Sequence, residues 1–133
     1  MNEDLTFPAA DALLLDLIRG QVFAGVTVNA GTFLPIDGYG QPEQLPFVRI
    51  TLVSAKTGWV DQHTQILCEV FADAAASLPI AQAVRRQVCG TDIQTPSGVA
   101  DTISSPVEAS ARPFTDVLDQ ATFSLSVICR PII

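Results

Sequence analysis

The chain carries a single histidine, and an acid stands beside it. In Val60-Asp61-Gln62-His63 the acid precedes the imidazole by two residues, and on an extended strand that spacing puts both side chains on one face, as an acid–base pair requires. General acid–base work needs something to act on, and no nucleophile or orienting third group is indicated near the pair. A solvated hairpin tip is the preferred reading. Cys68, Cys89 and Cys129 are odd in number, widely spaced and set among apolar residues. Reduced core thiols therefore outweigh a metal site, and Cys68 and Cys89 would be inert even if the fold brings them close. Asp116 and Asp119 have a spacing that suits a hard cation, but a turn between strands commonly carries aspartates for backbone hydrogen bonds. Gly38-Tyr39-Gly40 lacks the third glycine and the strand-to-helix setting of a dinucleotide loop, and Ser97-Gly98 lacks the flanks of a nucleophile elbow. No catalytic residue, cofactor or metal is expected.

Composition narrows the class further. With 133 residues and 48% hydrophobic content, one domain with a core that needs no disulfide or metal is expected. The formal net charge of -7 disfavours binding to phosphate backbones, so a sequence-reading nucleic-acid protein is not expected. No apolar run approaches the about 20 residues of a membrane span. The opening Asn2-Glu3-Asp4 puts no basic region before an apolar one, which argues against a secretory signal.

The elements that would position these residues can be read from periodicity. From Thr64 to Asp73 apolar residues fall on both parities (Ile66, Cys68 and Val70; Leu67 and Phe71), the pattern of a central strand buried on both faces. Ser77 is the expected N-cap of a following helix, with Pro79 in its first turn. Leu78, Ala81, Val84 and Val88 form its buried stripe, Arg85 and Arg86 suit its C-terminal end, and Gly90 is the expected left-handed stop. An earlier helix, capped by Thr6, shows Leu13, Leu14, Leu17 and Ile18 on one stripe and ends at Gly20. A short strand over Val22, Val26 and Val28 follows. A breaker-rich loop at about 29–46 then surrounds Tyr39, longer than an ordinary connection. Val48, Ile50 and Leu52 alternate inward against Arg49 and Thr51, and Lys56-Thr57-Gly58 turns the chain into a hairpin whose tip holds Trp59, Asp61 and His63. Residues 91–98 read as a polar connection. Val99 to Phe114, with Pro106 and Pro113, reads as an edge or bulged strand, and Ala121 to Cys129 as a cleanly alternating last strand. The expected fold class is α+β: a mainly antiparallel sheet with two helices packed on one face, in the order α-β-β-β-α-β-β.

That order, the unit VDQHTQILCEVFADAAASLPIAQAVRRQV and the closing hairpin ARPFTDVLDQATFSLSVICRP resemble the tail terminator (tail completion) proteins of long-tailed bacteriophages. The resemblance implies a virion structural protein at the head-proximal end of the tail, assembled in the host cytoplasm. Such a protein forms a ring, as a hexamer, that caps the tube, stops its polymerisation and offers a docking surface to the head. Its partners would be further copies of itself, the tail tube protein and a head connector protein, with DNA passing through the ring and no membrane involved. Interface residues expected on this basis are Tyr39, Trp59, Asp61, His63 and Arg49, because exposed aromatics anchor interfaces and the wet sheet face offers polar contacts. Two other classes remain: another head–tail connector or a tail tube subunit of related fold, and, more distantly, a small α+β enzyme or ligand-binding protein.

Overall fold

The computed structural model describes residues 6–39, 42–58, 60–73, 75–115 and 117–131. Trp59 and Asp116 lie outside them. Helix α1 spans Ala10–Ile18 and buries Leu13, Leu14 and Ile18; its N-cap is Ala9, with no side-chain cap, so Thr6 does not hold the role expected of it. Gly20, at a φ of 75°, follows the helix end, as expected of the residue that stops it. The strand expected over Val22 to Val28 is instead a tight hairpin of β1 (Val22–Phe23) and β2 (Val26–Thr27). Ala24 and Gly25 both take positive φ at its turn, the conformation that two-residue hairpins demand. Only Phe23 and Val28 of this stretch reach the core.

The main sheet has seven strands in the order β3-β4-β5-β9-β7-β6, with β8 also paired to β9. β3 (Asn29–Gly31) runs parallel to β4 (Phe47–Thr57), so the first three residues of the expected loop are strand and the loop proper is 32–46. β4 and β5 (Gln62–Asp73) form the expected antiparallel hairpin, and β9 (Leu118–Cys129) lies along the whole of β5. β7 (Gly98–Ser104) and β8 (Ser110–Pro113) follow one another along the other side of β9. They amount to one strand interrupted at 105–109, where Pro106 removes a ladder donor, so the bulged reading of this segment holds. The polar connection expected at 91–98 is corrected: Gly90–Thr95 is an edge strand, β6, paired to β7. Its Thr91, Asp92 and Gln94 show no alternation because both faces of this edge are largely wet.

Helix α2 (Ser77–Val88) connects β5 to β6 and, with α1, covers one face of the sheet, which fulfils the α+β reading. Its details differ from expectation at both ends. Ala76 is the N-cap, Ser77 is buried with no hydrogen-bond partner for its hydroxyl among the described residues, and Ile80 rather than Leu78 completes the buried stripe with Ala81, Val84 and Val88. The chain leaves α2 through an extended Cys89 directly into β6, so Gly90 is strand rather than a left-handed stop. The core lies between helices and sheet, with Val48, Ile50, Ile66, Cys68, Val70, Phe123, Leu125 and Val127 on the sheet side. No helix of the described residues is long and apolar enough to cross a membrane.

The opposite face is not simply wet. Leu34 reaches back from the loop to Phe47 and Phe71, which are direct partners across β4 and β5, and with half-buried Leu45 they make a second apolar cluster. Both parities of β5 are thus buried near Phe71, as its sequence predicts. Phe114 meets Phe71 edge to face, with ring centroids 5.0 Å apart.

Candidate assembly surface

His63 Nε2 lies 3.4 Å from Asp61 Oδ1, with both side chains partly exposed, so the strand spacing does bring the pair together. Gly58 N–H donates to the Asp61 carbonyl at 2.7 Å and closes the tip. A Cβ on Gly58 would stand 2.9 Å from Asp61 Oδ1, so glycine lets the carboxylate fold over the turn. Asp61 is thereby engaged in shaping the tip. Lys56 is the direct partner of His63 across the hairpin.

The thiols are unpaired, and burial dominates their behaviour. Cys68 is pushed from the ordinary thiol value of 9.0 up to about 12, by burial first and then by the neighbouring Cys89 and Glu69. Cys89 and Cys129 are raised by burial as well, although Arg85 works against the rise at Cys89. Among the described residues no three His, Cys, Asp or Glu side chains gather as a metal site.

Arg49 was expected on the wet sheet face as a contact residue, and it does lie there. Its guanidinium is committed within the chain: Nε donates to Glu69 Oε1 at 2.8 Å and Nη2 to Glu69 Oε2 at 2.9 Å, in the two-pronged geometry that favours Arg over Lys. It also lies 5.2 Å from the Phe71 ring centroid, and Gln120 donates to Glu69 Oε2. Three strands are tied by this network, which seals the polar border of the Phe71 cluster. Arg49 is a strut of the face, with one edge open to solvent.

The described residues of the loop, 32–39 and 42–46, are built rather than slack. Glu43 N–H donates to the Pro35 carbonyl at 3.0 Å, Ile36 and Pro42 form a β-bridge, and Leu34 is pegged under it. Asp37 Oδ1 accepts from the Tyr39 N–H at 2.8 Å, an Asx turn that fixes the loop tip. Upon this base Tyr39 is 91% exposed, together with Phe33 at 74% and Ile36 at 55%. The loop is thus pinned by its own apolar peg while it shows three large side chains to solvent.

A second apolar exposure was not anticipated. Leu52, read as the next inward residue after Val48 and Ile50, is 48% exposed, and Val53 is 63% exposed. The reason is the edge: Ile66, the partner of Leu52 across the hairpin, and Thr64, the partner of Ala55, are buried, so the cover reaches this level on β5 but does not extend sideways over β4. Every residue from Thr51 to Thr57 is exposed, and Val60 continues the exposure into the tip. The alternation in the sequence carried no sign of where that cover stops.

Where β7 gives way to β8, a groove of about 670 Å³ opens on the wet face, bordered by Leu67, Val107 and a row of hydroxyls including Ser110, Thr122, Ser124 and Ser126. Arg85 of α2 holds its rim: Nε donates to Ser105 Oγ at 3.0 Å and Nη2 to the Ser105 carbonyl, while Ser105 Oγ donates to the Ser124 carbonyl at 2.7 Å. These contacts satisfy the stretch of β9 that the interruption leaves without a strand. Glu108 is the one charged residue among the described residues that line the groove.

No protein-family model matches the chain, and no curated protein matches it. Among solved structures, the chain is similar to one in the virion of a native gene transfer agent (GTA) particle. That similarity has a TM-score of 0.50 and 18% sequence identity, and it covers 91% of this chain and 87% of that one. What the two chains share at this identity is the fold, end to end.

Proposed function

We propose that this protein is a structural component of a phage-like virion, and specifically a tail terminator. The observation that carries the reading is the end-to-end likeness of fold to a chain of the gene transfer agent virion, since an unrelated domain would seldom match over nearly all of both chains. Fold alone does not determine function, so the surface must also suit the role. Its pegged loop with Phe33, Ile36 and Tyr39, and the bare strand with Leu52 and Val53, are apolar exposures of the kind that subunits bury on assembly.

In this reading identical copies, six to match a tail tube, close into a ring through contacts between two different surfaces of each subunit. The ring then has two unlike faces. One fits the last tube subunits, and the other templates no further tube but receives the head connector. Growth stops because the new end differs from the old. The net charge of -7 favours an acidic lumen through which DNA slides without sticking. The role is non-enzymatic, and the protein resides at the head-proximal end of the tail.

Sedimentation velocity with negative-stain electron microscopy of the purified chain tests this. Closed rings of uniform diameter support the reading. Open tubes identify a tube subunit instead, and a monomer at all concentrations removes the ring.

A further inference from the structure

The two edges of the sheet differ, and the difference indicates how copies join. On one side β3 pairs only with Phe47 to Arg49, so from Ile50 to Thr57 strand β4 is bonded to β5 alone. A row of free backbone N–H and C=O groups beside Leu52 and Val53 is a template for another strand, and proteins normally blunt such edges with proline, short strands or several charges. This one has no proline and a single charge, Lys56. Its one irregularity, between Leu52 and Ser54, does not end the pairing, which continues to Thr57 opposite Gln62. At the far side of the sheet β6, residues Gly90–Thr95, pairs only with β7, and Asp92, with a φ of 54°, stands out of that ladder between the paired Thr91 and Ile93. There Asp92, 2.9 Å from Arg130, shares that single guanidinium with Asp101, so two carboxylates on one cation leave a local negative charge.

We propose that the free stretch of β4, Thr51 to Thr57, takes the β6 edge of a second copy of this chain, so that the sheet runs on from subunit to subunit. This deepens the ring reading and rests on it. Two observations select this occupant. Pairing β4 with another β4 would be two-fold and end at a dimer, whereas β4 on β6 joins unlike surfaces and repeats until it closes. Charge agrees: copies carrying -7 each repel, but the sequence between Glu43 and Asp61 contains no acid, and Lys56 on the free stretch of β4 can meet the negative β6 edge. Backbone hydrogen bonds and the covering of Leu52 and Val53 supply the adhesion, and the charges set register and partner.

Hydrogen–deuterium exchange on the wild-type chain, assembled and then diluted to monomer, tests it without relying on a variant. In the assembly the outward amides of both 51–57 and 90–95 exchange at least an order of magnitude more slowly than in the monomer. Val53→Arg, at a site outside the core, yields a monomer with an unchanged melt. An oligomer in which either segment keeps its monomer rate overturns the proposal while leaving the ring reading intact. Protection of β4 alone likewise overturns it, in favour of β4 pairing with itself. A chain that never assembles overturns both.

Discussion

Replacing Phe71 by Ala removes the centre of the second apolar cluster. The ring is fully buried, meets Phe114 at 5.0 Å, is flanked by the Arg49 guanidinium at 5.2 Å and packs with Phe47 and Leu34. Phe→Ala in a core costs about 3–5 kcal/mol, as lost transfer energy plus the cavity left behind. Here the cavity lies between sheet and loop rather than between sheet and helices. Leu34 and the partly exposed Phe114 can settle into it, so the lower end, about 3 kcal/mol, is expected. That is a large share of the 5–15 kcal/mol typical of a domain. Urea melts of wild type, Phe71→Ala and Phe71→Leu at matched protein concentration give the loss as a shift of midpoint at unchanged slope. Because Leu34 pegs the loop to this ring, exchange of amides in 32–46 should also quicken in Phe71→Ala more than exchange in α2. A loss under about 1 kcal/mol, or loosening of α2 before the loop, would refute the assignment of Phe71 to a separate cluster that seats the loop.

Further expectations follow from other sites. Tyr39→Ala removes an almost fully exposed ring, so the melt stays unchanged while assembly weakens by about 2 kcal/mol or more if the loop is an interface anchor, read by sedimentation. Trp59→Ala, outside the described residues, is expected to weaken assembly in the same way, whereas a loss of monomer stability would assign Trp59 to the core. A Cβ at position 98 would meet Pro8 Cβ at 2.6 Å and Cγ at 2.7 Å, so Gly98→Ala should cost about 1–3 kcal/mol in the melt by displacing the segment before α1. The Cys68 thiol is raised from 9.0 to about 12, so the folded state holds its proton where the unfolded chain has lost it. Its contribution to stability is therefore complete below pH 9 and falls as pH rises toward 12, by up to about 1.4 kcal/mol per pH unit, and Cys68→Ala should remove that part of the slope.

Periodicity made the framework legible because burial on one face writes itself into a strand or helix. β4, β5, α2 and β9 stand near their expected positions for this reason. β6 escaped because an edge strand wet on both faces needs no apolar alternation, and hydrogen bonds alone hold Thr91 and Gln94 in place. Leu52 was misplaced for the converse reason: alternation marks which face a residue shares, not how far the cover extends across the sheet. Ser77 and Thr6 had the right chemistry for caps, but their positions relative to the first helical turn depended on tertiary packing. Of the expected contact residues, Tyr39 is exposed as anticipated and Asp61 and His63 meet at the hairpin tip. Arg49 belongs to an internal network whose acid, Glu69, lies twenty residues away in sequence and is brought opposite by strand register.

Electron microscopy of tails made with and without this chain tests directly whether it ends a tube. With the chain present, tubes of uniform length should carry a ring of it at one end and accept heads. Without it, tubes should overrun that length and stay headless. Tails of unchanged length that still join heads in its absence would contradict the account.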